Sequence, residues 1–546
     1  MTLLATGVTA QTLTDRFFDE YYFPFNPTGA TSAGIHTYDG RLEDYSRQGI
    51  RARVEALRKF EAEFEKQPEG PDRDLVLNSI RGALLDLETV RSWEKNPDIY
   101  SSGIAGSAFT IMSRTFAPPD VRLAALISRE RAMPQALMDA RENLKNPPKV
   151  YTEVALEQIP GIITFFGHDV PLAFDKVKSA KLLAEFHKSN AAVISALKDY
   201  ETFLRNDVLP RSHGDFRLGA ENFSRKLAYE EMVDIPLDRL LQIGFDDLRA
   251  NQRRLKEVAA KIDPRKTPHQ VLDELEKDHP PADKLLDAFR DECVKLRDFI
   301  VAKKIITLPS PVLPILEETP PFARALTFAS MDTPGPYEMI AKQAYFNVTL
   351  PEKNWPPDRV EDYMHSFNRG TILSTATHEA YPGHYVQFLW MQHVKSRVRK
   401  LLGASSNAEG WAHYCEQMIL DEGFSDDPRM RLGQLQDALL RDARFIVGIE
   451  MHTGKMSFDQ GVEFFEKEGY QPHESAEKET KRGTSDPTYL YYTLGKLQIL
   501  KLRADYRAMK GAQFSLEQFH DEFMQQGFPP IKIVRRALLG NDSPTL

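Results

Sequence analysis

The chain has 546 residues, with 70 Lys+Arg against 79 Asp+Glu, and so a net charge of −9; a protein whose main partner is the nucleic-acid backbone instead carries a basic excess. With 42% hydrophobic and 10% aromatic residues it can bury a sizeable core and is too apolar to be largely disordered. Cys293 and Cys415 lie 122 residues apart and provide neither a disulfide framework nor a CxxC metal knuckle.

In chain order, Met1 to Ala10 is uncharged, rich in small residues and ends Val8-Thr9-Ala10 like a signal-peptidase site, but no Lys or Arg precedes it. A complete signal peptide is therefore not expected. A truncated one stays open, and with it the choice between a periplasmic or secreted protein and a cytoplasmic one. The longest uncharged runs, such as 99–113 and 380–394, reach 15 residues, short of the ~18 needed to span a bilayer, so no transmembrane segment is expected. Residues 1–308 read mostly as amphipathic helix. In Leu237 to Ile262, for example, Leu240, Leu241, Phe245 and Leu248 mark an apolar stripe and the charged remainder reads as a solvated face.

Between Pro309 and Pro336 seven of the 35 prolines fall within 28 residues. Proline fixes φ and removes backbone donors, so 309–336 reads as an extended connector. Region 337–546 follows, and half of the 14 histidines lie within 109 residues of it. The chemistry is expected there, on one integrated, all-α domain. Strand-like alternation is confined to Ala344–Leu350, closed by Pro351, which predicts a single short β-hairpin.

The segment Thr377-His378-Glu379-Ala380-Tyr381-Pro382-Gly383-His384-Tyr385 opens like the HExxH zinc motif, in which two histidines one turn apart share a helix face around a general-base Glu. Here the histidines are six apart, and at about 100° per residue an unbroken helix would set them roughly 240° from each other. Pro382-Gly383 supplies a break that can return His384 to the side of His378. Zinc also wants a third protein ligand and an open position. Glu409 lies 25 residues after His384, enough for one helix and a turn. Ser406-Asn407-Ala408-Glu409 fits a capping box equally well, and its Glu would then only return a hydrogen bond to the helix start. Spacing leaves both readings open. His413 and Glu416 share the helix face of Glu409, His413 as a residue behind the ligands and Glu416 as a reserve ligand.

The run His378 to Gln387, with Glu409-Gly410-Trp411-Ala412 and Tyr414, resembles the HExxPGHHxQ and EGWAxYxE motifs of the domain-of-unknown-function family DUF885, large helical proteins regarded as zinc metallopeptidases. Weaker matches at Gly34–Asp39, Arg444–His452 and Tyr492–Gly495 extend the resemblance over nearly the whole chain. Tyr385 stands where many members have a second His, which favours His384 as the ligand. Asp486-Pro487-Thr488 replaces the family's PGQ. More distantly, the segment is similar to HExGH of the helical gluzincin peptidases, the angiotensin-converting-enzyme and oligopeptidase type, with two residues inserted before the Gly. Their third ligand is also a downstream Glu. The resemblance implies a mainly helical ellipsoid with a deep cleft that admits oligopeptides or other small amides. It also implies one Zn2+ per chain held by His378, His384 and Glu409.

On this reading Glu379 is the general base, and Tyr492, matched by its position before Gly495, is the oxyanion donor among Tyr489, Tyr491 and Tyr492. His452 is a further candidate at the reacting centre. Arg444 and, on the predicted strand, Tyr345 and Asn347 are candidate substrate contacts. Two alternatives stand beside the peptidase: a zinc hydrolase of non-peptide amides or esters, and a non-catalytic helical binding or scaffold protein. The intact Glu379 argues against the last, and oligomeric state is left open.

Overall fold

Helices form wherever the 3.6-residue periodicity is sustained, and almost the whole chain sustains it. The computed structural model describes residues 11–319, 324 and 327–546, so the leader-like residues 1–10 lie outside the described residues. Helix α1 (Leu237–Ile262) starts after the extended Pro236 and buries Leu240, Leu241, Leu248, Leu255 and Ala259, the stripe expected of an amphipathic helix. Its polar face is not wholly solvated. Asn251 and Gln252 are buried, the Asn251 amide donates to Asp442 at 2.7 Å, and Asp247 accepts from the buried Lys496 at 2.7 Å. Periodicity separates apolar from polar positions but does not tell polar residues facing water from those facing another helix.

Two segments of the proline-rich stretch form strands that pair with a third strand after it. Strands β1 (Ile315–Glu318), β2 (Ala329–Asp332) and β3 (Tyr345–Val348) form a sheet of order β1-β3-β2. β3 lies parallel to β1, with Ile315 opposite Tyr345, and antiparallel to β2, with Ala329 opposite Val348. The expected hairpin is thus a three-stranded mixed sheet whose central strand is β3. The two partner strands are four residues long and carry no alternation long enough to register in the sequence.

The connector does not separate two cores. Phe289, Cys293 and Leu296, before it, pack in one cluster with Phe346, Tyr381, Trp411 and Ile499. Leu240 and Leu248 join Phe445, Ile449 and Leu490, and Phe17 and Phe60 join Val398 and Ile533. Among the described residues no helix is long and apolar enough to cross a membrane.

The Gly34–Asp39 segment is a clasp between chain regions far apart in sequence. Gly34 has φ +87, and a Cβ there would lie 2.3 Å from the Glu338 backbone nitrogen, so close approach and left-handed backbone both demand glycine. The His36 ring stacks on Phe116 at 4.0 Å, with Nδ1 3.0 Å from Asp39 and Nε2 3.0 Å from Glu338. Burial opposes its charge, but these two carboxylates outweigh it and raise the imidazole above its ordinary 6.5. A raised folded-state pKa adds stability that is complete below the ordinary value and lost as pH rises through the raised one. Thermal melting should therefore show His36→Gln costing more Tm at about pH 6 than at alkaline pH; a pH-independent cost would mean that the ring only packs.

Candidate metal centre

The region after the sheet is a succession of helices, α2 (Pro357–Met364), α3 (Arg369–Glu379), α4 (His384–Met391), α5 (Ser405–Asp421), α6 (Pro428–His452), α7 (His473–Ser485) and α8 (Tyr491–Lys510). Asn368 caps α3 by accepting from the Thr371 amide. The helix stops at Glu379, the chain turns through a cis Tyr381–Pro382 bond, and the Gly383 amide donates back to the Thr377 carbonyl at 3.0 Å. A Cβ on Gly383 would sit 1.9 Å from the His378 carbonyl oxygen, so any other residue would push the two helices apart. The break places the His378 and His384 rings 4.8 Å apart at 86°. The wholly buried Trp411 of α5 holds the break in place by donating Nε1–H to the Pro382 carbonyl at 2.9 Å.

Helix α5 begins at Ser405 behind Ala404, with no side-chain cap. Glu409 is therefore inside the helix and not the returning residue of a capping box. Its Oε2 lies 3.2 Å from His378 Nε2 and 3.4 Å from His384 Nε2. That oxygen is buried without a hydrogen-bond partner among the described residues. Atoms ligating one ion tetrahedrally at about 2.0–2.1 Å sit about 3.3 Å apart, so this spacing and the unpartnered oxygen suit a divalent metal. The donor set of two imidazoles and one carboxylate suits zinc.

Glu416 lies behind the three candidate ligands and anchors His378 among them. It has no exposed surface, and its Oε1 accepts from His378 Nδ1 at 2.7 Å and pairs with Arg441 at 2.9 Å. Its Oε2 accepts from His413 Nδ1 at 3.0 Å. With Nδ1 carrying the proton to Glu416, the Nε2 lone pair of His378 points at the ligand position. Burial alone would raise Glu416, but Arg441, His413 and His378 hold it well below the usual carboxylate range. Burial pushes His413 down to about 3, which keeps it a neutral donor. Burial also works against charge on His378, yet Glu409 and Glu416 lift it to about 10, and a metal at Nε2 would take the place of that second proton. Glu409 is held well below its ordinary value, its burial outweighed by the two histidines.

His378 and Glu379 open on a cleft of about 760 Å³ that Phe328, Ala329, Arg441, Arg444, Arg482 and Tyr492 also line. Glu379 is half-buried. Desolvation raises its carboxyl against the opposing charges of His378 and His384, and the Met331 backbone of β2 also hydrogen-bonds to it. Of the three tyrosines only Tyr492 lines the cleft. Its ring stacks over His378 at 6.3 Å, and its hydroxyl accepts from Arg482 at 3.3 Å, leaving its own proton free to donate. Tyr491 donates to Asp486 at 2.9 Å. Tyr489 is wholly buried against Gly448 and Gly483.

Four expected residues do not reach the centre as free groups. His452 is buried between Phe216 and Phe223 and bonds the Gly483 carbonyl at 2.8 Å, outside the cleft lining. Arg444 lines the cleft, but its guanidinium is engaged by Glu479 at 2.7 and 2.8 Å. Tyr345 and Asn347, on the central strand, line a separate pocket with Glu317 and Phe109. The strand beside Glu379 is β2. Sequence reasoning also missed Arg441 and Arg482, and it quoted Trp411 in a motif without giving it a role. Arg441 lies three residues before Arg444 on the same helix, a signal too common among helical arginines to single out.

A model of the DUF885 family, described as bacterial protein of unknown function, matches residues 27–538, and the chain belongs to this family. Its fold is similar to that of a candidate lipoprotein of unknown function from Shewanella oneidensis, at TM-score 0.80 and 26% identity, covering 96% of this chain and 99% of that one. It is also similar to a candidate lipoprotein from Colwellia psychrerythraea, at TM-score 0.73 and 17% identity, covering 95% and 96%. No curated protein matches the chain.

Replacing a carboxylate that orients a metal-binding histidine typically costs 10–100-fold in affinity, by rough order of magnitude. Glu416→Gln should therefore weaken zinc binding by about 10–100-fold in competition with a chelator, although Glu416 does not itself face the ligand position. An unchanged affinity would remove it from the centre.

Proposed function

We propose that this protein is a zinc-dependent hydrolase and, more specifically, a metallopeptidase that cleaves amide bonds of oligopeptides. The observation that carries the reading is the convergence of His378, His384 and Glu409, with His378 and the adjoining Glu379 lining a cleft. Zinc bound by the three would supply a Lewis acid for the scissile carbonyl and acidify a water molecule. Glu379 is then placed to take a proton from water and return it to the leaving amine, and desolvation suits its carboxyl to both steps. The Tyr492 hydroxyl, fixed by Arg482, is a donor for the developing oxyanion. β2 is an edge strand of its sheet and Ala329 at its start lines the cleft; an extended peptide can lie along such an edge, which favours peptides over other amides and esters. The two fold neighbours described as candidate lipoproteins support an envelope-associated or secreted location.

Metal analysis of purified protein should find zinc at this site, and a peptide-library digest read by mass spectrometry should show cleavage. Glu379→Gln should keep the metal and lose most turnover, since it preserves shape and removes the base; unchanged turnover would refute the assignment. Tyr492→Phe should lower kcat by ~10² to 10³ with KM nearly unchanged, whereas Tyr489→Phe should leave both alone. Metal with no cleavage of any peptide would favour the ester or non-peptide amide reading.

A further inference from the structure

Three residues outside the cleft, His279, Glu361 and His365, bring one nitrogen or oxygen each within 4.8 Å of one another. His279 lies in the segment after the helix Pro268–Leu275, Glu361 in the last turns of α2, and His365 at the end of that helix, one turn beyond Glu361. His279 Nδ1 is 3.0 Å from the Pro280 carbonyl oxygen. A carbonyl can only accept, so Nδ1 carries a proton, and Nε2, which hydrogen-bonds to Glu361 when protonated, is the nitrogen a metal would take. Nε2 faces Glu361 Oε1 at 3.3 Å, and His365 Nε2 faces the same oxygen at 4.0 Å, too far for a hydrogen bond. One carboxylate oxygen thus stands between two imidazole nitrogens whose rings are 5.7 Å apart. The His279 side chain is 9% exposed while Glu361 is 62% exposed, so the imidazole is held by its surroundings and the open side can admit water as further ligands.

We infer a second transition-metal site at His279, Glu361 and His365, separate from the centre at His378. Two imidazoles and one carboxylate select zinc, nickel or copper over calcium and magnesium, which ask for all-oxygen shells. The site's place in the fold gives it a structural role. The Asp278 carbonyl accepts from the Arg369 amide at 3.2 Å, and its carboxylate pairs with the Arg369 side chain at 3.0 Å. The segment bearing His279 therefore already rests on the first residue of α3, whose last residues are His378 and Glu379. A metal joining it to α2 would staple together the two elements that set the start of that helix, one 11-residue helix or roughly 16 Å from the candidate catalytic centre.

The test is a zinc titration of the full chain by calorimetry, with metal content measured after gel filtration. Wild-type protein should bind two equivalents and His279→Ala/His365→Ala one. His378→Ala should also bind one, with a Tm that rises on zinc addition, and the combined variant should bind none. His473→Ala, an exposed histidine paired with Glu466, should change nothing and controls for adventitious surface binding. A second equivalent that survives in His279→Ala/His365→Ala, or a wild type that binds a single equivalent removed by His378→Ala, would overturn the inference. Loss of zinc from the His378 centre alone would refute the proposed hydrolase and leave this site standing, so the two failures are distinguishable.

Discussion

A carboxylate with no exposed surface must be compensated inside the fold, and Glu416 is compensated by side chains from three helices: His378 of α3, His413 of its own α5 and Arg441 of α6. Removing one partner from such a buried charge cluster usually costs several times what an exposed pair does, because the charge left behind has nowhere to go. The candidate centre depends on this arrangement. The same carboxylate that ties the helices together fixes the tautomer of His378, so the direction of its free nitrogen is set by the packing of α5 against α6.

The second constraint is steric. Two histidines six residues apart can share one ion only if the helix between them is broken and its halves are held at a defined distance. Gly383 permits the approach, its amide closes the turn on the Thr377 carbonyl, and Trp411 clamps the Pro382 carbonyl from the neighbouring helix. Trp411 is itself stacked on Phe523 at 5.4 Å. The turn is therefore backed by aromatic packing from the C-terminal helices, and α5 supplies the third candidate ligand, the anchor and the clamp. One helix performing three tasks explains why Glu409 and Glu416 sit seven residues, two turns, apart.

Further from the cleft, a second buried polar network joins the middle of the chain to its C-terminal region. Asp442 of α6 accepts from Asn251 of α1 and Thr493 of α8, while Lys496 of α8 donates to Asp247 of α1. Burial and the neighbouring Asp247 raise the Asp442 carboxyl, and Lys496 holds Asp247 down. Apolar faces could slide along one another at little cost. A hydrogen-bonded set of this kind fixes the register of α1, α6 and α8 and with it the alignment of Tyr492 over His378.

Much of the centre was legible in the sequence because its members follow local rules. A histidine pair at the wrong helical spacing with Pro-Gly between them demands a break, and Glu379 between them is read from the same segment. Glu409 was legible only as one of two readings, since a capping box and a ligand share the same residues until the helix start is known. What the sequence could not order were contacts between distant segments. Tyr345 lies on the strand that periodicity found, yet pairing with β1 and β2 made it central and turned it to another pocket. His452 sits on the right helix, but its turn faces Phe216 and Phe223. Glu416 changed from reserve ligand to anchor because Arg441 meets it from α6. Local geometry is written in spacing and residue type; which side of a helix or strand meets the cleft is decided by long-range packing, which no window of neighbouring residues contains.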